Sequence, residues 1–216
     1  MKTLGLIGGT TWVSTVDYYA YINQLTNEKL GANSSARLLL YSVNFQEYLP
    51  RAEAGAWSSI GESLSTLARQ LEANGAEAVV LCVNTMHIVP EQVQASIGIP
   101  LLHIVKAVAR EIRQSHLQKV ALLGTRFTMQ HHFYPDILRR SGIETIRPTP
   151  AEQEFIHQAI FAELQKQILR DETRRGYLEI IDALAHRGAQ GVMLACTEIP
   201  LLVKQEHCRL PIFDST

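Results

Sequence analysis

The sequence predicts an α/β protein of two pseudo-symmetric domains, each a parallel sheet flanked by helices. Three observations carry this. Gly75-Ala76-Glu77-Ala78-Val79-Val80-Leu81-Cys82-Val83-Asn84-Thr85 is echoed by Gly188-Ala189-Gln190-Gly191-Val192-Met193-Leu194-Ala195-Cys196-Thr197-Glu198, at an offset of 113 residues counted from the Gly-Ala pairs. Leu4-Gly5-Leu6-Ile7-Gly8 resembles Val120-Ala121-Leu122-Leu123-Gly124 at an offset of 116, and Ile99-Pro100-Leu101-Leu102-His103 resembles Leu210-Pro211-Ile212-Phe213-Asp214 at 111. Each match alone is weak, because apolar runs before small residues are common in buried strands; three in one order argue for tandem duplication. Finally, the apolar runs alternate with helical periodicity, the pattern of parallel strands joined by right-handed crossovers.

Taken in order, the runs 4–7, 38–43, 78–82 and 100–104 read as strands buried on both faces. Between them, residues 58–74 read as a helix, with Ile60, Leu64, Leu67 and Leu71 on one face. Asn74-Gly75 then supplies its C-terminal stop. A helical stretch, 104–114, follows the Pro100 strand. In the second half 155–169 and 177–187 are helical, the latter closed by Gly188. The halves are placed at 1–115 and 116–216. After its last strand the second half runs only from Asp214 to Thr216, so a counterpart of helix 104–114 is expected to be lacking there.

At 216 residues the chain accommodates one large domain or two small ones of about 100 residues. Hydrophobic residues at 46% against 19% charged ones support a packed core and argue against disorder. A formal charge of −1 offers no bulk attraction to nucleic acid or an anionic membrane. Lys2 precedes an apolar stretch too short for a signal-peptide core, and no run approaches the ~18 apolar residues of a membrane span. Three cysteines, an odd number, do not read as a disulfide framework. The expectation is a cytoplasmic protein with reduced thiols.

Ligands of parallel sheets gather at the carboxyl ends of the strands. Asn84, Thr85, Thr125, Cys196 and Thr197 all follow such ends and are candidates to share one site. The glycines of Gly5-Leu6-Ile7-Gly8-Gly9-Thr10 do not fit a dinucleotide fingerprint, and no P-loop signature is present. That stretch reads either as a tight turn or as backbone amides and Thr10 and Thr11 hydroxyls that receive a substrate carboxylate. Cys82, Cys196, Cys208 and His87 lack the short paired spacings of a zinc site, so no metal is expected, and Cys208 in its polar stretch reads as incidental. Cys196 is the stronger candidate. A helix beginning just after it would lower its pKa and favour the thiolate, whereas inert packing is the ordinary fate of a buried cysteine.

Three stretches, 5–15 (GLIGGTTWVST), 80–87 (VLCVNTMH) and 191–201 (GVMLACTEIPL), resemble the aspartate/glutamate racemase family, specifically its broad-specificity or aspartate/glutamate branch. The Ala-Cys-Thr-Glu motif is highly specific, and together the stretches span essentially the whole chain. The resemblance implies two similar α/β domains with the active site in the cleft, a homodimer, and racemisation of a small acidic amino acid with no cofactor. Two groups would flank the α-carbon, one removing its proton and the other delivering one to the opposite face. On this reading Cys196 is catalytic, while Asn84, Thr85, Thr125 and Thr197 bind substrate with Thr10 nearby. Arg51 and Lys166 are candidate partners for the side-chain carboxylate, with solvated surface as the alternative for each.

One departure bears on the chemistry. The family's first motif is Cys-Asn-Thr, but here Val83 stands directly before Asn84 and Cys82 one residue earlier. Adjacent strand residues point to opposite faces, so an undistorted strand turns Cys82 into packing and Val83 towards substrate. A bulge would turn Cys82 inward. With Cys82 or an ordered water as second acid the protein racemises; with Cys196 alone it exchanges the α-proton on one face. A single thiol also resembles the arylmalonate decarboxylase relatives, which makes decarboxylation or isomerisation of a small diacid an alternative. A non-catalytic amino-acid or dicarboxylate binding protein is the reading from a different class.

Overall fold

A computed structural model describes residues 1–216, whose contacts gather into two compact units: residues 1–103 with Thr216, and residues 104–215. In the first unit β1 (Thr3–Gly8) leads to α1 (Trp12–Leu30) and β2 (Arg37–Ser42). The short helix α2 (Leu49–Glu53) precedes α3 (Trp57–Ala73), β3 (Ala78–Leu81), α4 (Pro90–Ala95) and β4 (Leu101–Leu102). The strands form a parallel sheet in the order β2-β1-β3-β4. The face of α3 that the sequence marked is buried at Ile60, Leu64, Leu67 and Leu71, and Gly75 just beyond it takes the positive φ of a helix stop.

One expectation for this sheet needs correction. β2 and β4 are not buried on both faces; Leu40 is 48% exposed, Tyr41 42% and Leu102 47%. Both strands are sheet edges, with a neighbour on one side only, so apolar character alone did not bury them. The helix α1 carries no readable stripe because only Ser14 and Thr15 of its residues are buried. It is tied to β1 through Thr15, whose hydroxyl accepts from the Gly9 amide at 2.9 Å.

The second unit opens with α5 (Ile104–Gln114), followed by β5 (Lys119–Gly124), α6 (Arg126–Gln130), α7 (Phe133–Arg140) and β6 (Glu144–Ile146). It continues through α8 (Pro150–Ala162), α9 (Asp171–His186), β7 (Gly191–Ala195), α10 (Ile199–Leu202) and β8 (Ile212–Asp214). Its parallel order, β6-β5-β7-β8, repeats that of the first unit strand for strand. Alternate residues of the central strands feed two cores, as period two requires. Val120, Leu122, Met193 and Ala195 pack with α5 and α7, while Ala121, Leu123, Val192 and Leu194 pack with α8, α9 and α10.

The expected division at 115/116 falls too late, because α5 belongs to the second unit. Its residues Ile104, Val105, Val108, Ala109 and Ile112 are buried in the core that holds β8's Phe213. The helix assigned from sequence to the first half therefore covers a face of the second sheet. α8 also starts before the expected 155: Thr149 accepts from the Glu152 amide while the Glu152 carboxylate takes the Thr149 amide, a complete capping box with Pro150 in the first turn. It ends at Ala162, and Lys166 falls in a separate 3-10 turn, Leu164–Lys166. No helix is long and apolar enough to cross a membrane.

Candidate functional site

In the first unit β1 and β3 are hydrogen-bonded neighbours with Ile7 opposite Leu81, so the segments carrying Thr10 and Asn84 leave the sheet side by side. Thr10 is 2% exposed and its hydroxyl has no hydrogen-bond partner. An unsatisfied buried hydroxyl costs about 1–3 kcal/mol, which a ligand or water held there would recover. Asn84 is equally buried, and Thr85 opens a 3-10 turn, Thr85–Ile88.

The ladder between these strands runs on through Cys82, whose amide donates to the Ile7 carbonyl at 2.9 Å with no residue inserted. Cys82 is wholly buried, and burial pushes its thiol up to about 12; Val83 is half-buried. Beneath them His87 is bonded through Nδ1 to the Val83 carbonyl at 2.9 Å, with its ring centroid 4.8 Å from that of His103. Burial, and then the neighbouring His103, drive the His87 imidazole down to about 3, so it is neutral. Arg51, on α2, donates from Nε to the Glu47 carbonyl at 2.9 Å and from Nη1 to the Ser63 hydroxyl at 2.9 Å. It lies 4.5 Å over the Tyr48 ring, and no carboxylate pairs with it.

In the second unit Gly124 of β5 lies opposite Ala195 of β7, which brings Thr125 and Cys196 off adjacent strand ends. Thr125 caps α6, accepting from the Thr128 amide at 3.3 Å. The Cys196 thiol donates to Oε2 of Glu198 at 2.9 Å, and the Thr197 hydroxyl donates to the same oxygen at 3.0 Å. Glu198 is 2% exposed, and its other oxygen, Oε1, is buried without a hydrogen-bond partner. Burial first, then the charge of Glu198 and the hydrogen bond to it, hold the thiol well above its usual range. This reverses the expectation that a following helix would lower its pKa. α10 has only four residues, too few for an effective dipole, and a carboxylate stands between it and the sulfur.

Glu198 is the residue to which sequence reasoning gave no role. The signal was its place two residues beyond Cys196, but the thiol–carboxylate contact depends on how the chain turns after β7. Lys166 is solvent-exposed and is not drawn to the strand ends. Cys208 packs half-buried against the core of the second unit. No group of three or more His, Cys, Asp or Glu side chains is placed to hold a metal ion.

The family model for Asp/Glu/hydantoin racemases matches residues 7–216. The broad specificity amino-acid racemase RacX of Bacillus subtilis is 28% identical over 147 residues, 68% of this chain and 63% of RacX. The match thus spans less than two thirds of that relative's length. Among solved structures, a Yersinia pestis protein assigned to the Asp/Glu racemases superposes with a TM-score of 0.93 at 42% identity, covering 100% of this chain and 94% of its own. PH1733, an aspartate racemase homologue from Pyrococcus horikoshii, gives 0.86 at 36% identity, with the same coverage of 100% and 94%. Glutamate racemase from Francisella tularensis, in complex with D-glutamate, shares the fold alone: TM-score 0.70 at 15% identity, over 99% of this chain and 76% of that one.

Proposed function

The chain belongs to the Asp/Glu/hydantoin racemase family, and on that premise we propose that it is an amino-acid racemase acting without a cofactor on aspartate or glutamate. The observation that carries this is the buried Cys196–Glu198 contact of 2.9 Å. Glu198 accepts the thiol proton, and the resulting thiolate removes the proton from the substrate α-carbon. The electron pair left on that carbon spreads into the α-carboxylate, where Thr125 and Thr197 supply hydrogen bonds as charge builds. Arg51, whose partners are neutral, is a better match for the side-chain carboxylate than the exposed Lys166.

Inversion needs a second proton donor. Cys82 is buried in an unbroken ladder and Val83 carries no exchangeable proton. We assign the role to an ordered water. The same features favour a second reading, one-faced chemistry by Cys196 alone, either exchange with retention or decarboxylation of a small diacid.

The test is incubation with L-aspartate and L-glutamate in deuterated water, followed by NMR and chiral chromatography. Loss of the α-proton signal with appearance of the D-enantiomer is the expected outcome. Exchange with retained L-configuration would establish the one-faced reading. No exchange in a protein that still binds these acids would leave a binding role and sink the racemase.

A further inference from the structure

On α5, Lys106, Arg110 and Arg113 recur at spacings of four and three and so share one face. With Ala109, Gln114 and Ser141 they line a cavity of about 430 Å³ in the second unit, away from the strand ends. None of the three cations is paired, whereas Lys119, Arg126, Arg139, Arg170 and Arg174 each meet a carboxylate. Like charges at these helical spacings repel one another. The helix dipole accounts for Arg113, in the last turn, but not for the others. Lys106 lies in the first turn, where the dipole disfavours a cation, and Arg110 lies mid-helix. An anion held among the three would relieve this repulsion.

We propose that this cavity binds a small phosphate-bearing ligand. Arg110, between the other two cations, offers the planar fork that takes two phosphate oxygens at once, with Lys106 and Arg113 on either side. The Gln114 amide and Ser141 hydroxyl add neutral hydrogen-bonding groups at the rim. An amino-acid substrate does not fit, because its ammonium would meet three cations and no carboxylate in the lining. The volume lies in the range of small-molecule sites, about 300–1,000 Å³, and suits a diphosphate. A concave site on a chain of net charge −1 favours such a ligand over an extended polyanion.

The experiment is calorimetric titration of the full chain with inorganic pyrophosphate and, separately, with ADP, at ionic strength held constant with sodium chloride. Saturable one-to-one binding is expected, at least tenfold weaker in Arg110→Gln and also weakened in Lys106→Gln. Equal affinities would identify the diphosphate itself as the ligand chemistry, and a much tighter ADP would identify a nucleotide. Both variants change exposed side chains, and matching circular dichroism melts would confirm that they fold. The proposal is overturned if neither probe saturates, if both variants bind like the parent, or if a DNA duplex binds as tightly as pyrophosphate.

Discussion

A thiol donating to a carboxylate at 2.9 Å has its proton held by a group that is itself charged, and this couples two properties of Cys196. Glu198 is both the acceptor for its proton and a cause of its raised pKa. Glu198→Gln should therefore slow α-proton exchange by about 10²-fold or more, the scale of a positioned acid–base group. It should also move the midpoint of thiol alkylation to lower pH, a split that a merely structural role would not produce. Cys196→Ala should abolish exchange. Cys82 yields a stability prediction. Its folded pKa of about 12 lies above the ordinary 9.0, so between those values the unfolded chain loses a proton that the fold retains. Stability is then full below pH 9.0 and falls as pH rises towards 12, by about 1.4 kcal/mol per pH unit. Urea titrations at stepped alkaline pH should show this slope diminished in Cys82→Ala. His87 acts in the opposite sense, its contribution being lost as pH falls from 6.5 towards 3. That Thr10, Asn84, Thr125 and Cys196 follow strand ends was legible in the sequence. The Glu198 contact was not, since it depends on a turn that no periodicity encodes.

At the scale of elements, the β1–α1 junction is closed in by backbone. Gly9 has φ +86°, and a Cβ there would collide with the Val43 backbone. Gly9→Ala should cost about 2–3 kcal/mol, combining the unfavourable φ with a displaced backbone. At Gly61 an added methyl meets only the far end of the Gln92 side chain, so Gly61→Ala should cost far less in the same urea experiment. Thr149→Ala removes the α8 cap and should cost about 1 kcal/mol. Helices with a one-sided apolar face, α3 and α5, were readable to within a residue. α1 was not, since it buries only Ser14 and Thr15, and the three-residue β6 is too short to show alternation. The start of α8 was written in Thr149, Pro150 and Glu152, cap chemistry that an apolar stripe does not reveal.

For the molecule as a whole, the repeat made the duplication of the strands legible but misplaced the boundary. Sequence similarity assigns a helix to the strand it follows, whereas burial assigns α5 to the sheet it covers. A fragment beginning at residue 116 lacks five buried apolar side chains, Ile104, Val105, Val108, Ala109 and Ile112, of which the two isoleucines and two valines each contribute about 1.5–3 kcal/mol by their burial. It should unfold at lower urea, and less cooperatively, than a fragment beginning at residue 104. The docking of α5 beside Phe213 also bears on synthesis at the ribosome. Residues 1–103 emerge as a nearly continuous block and can close early, as N-terminal units generally do. α5 emerges next, and β5 and α7 reach it soon after, but its contact with Phe213 waits until β8 has left the exit tunnel. At about 5–20 residues per second, an apolar helical face spends several seconds without its full set of native partners. That interval is when a nascent chain of this design is most open to chaperone capture.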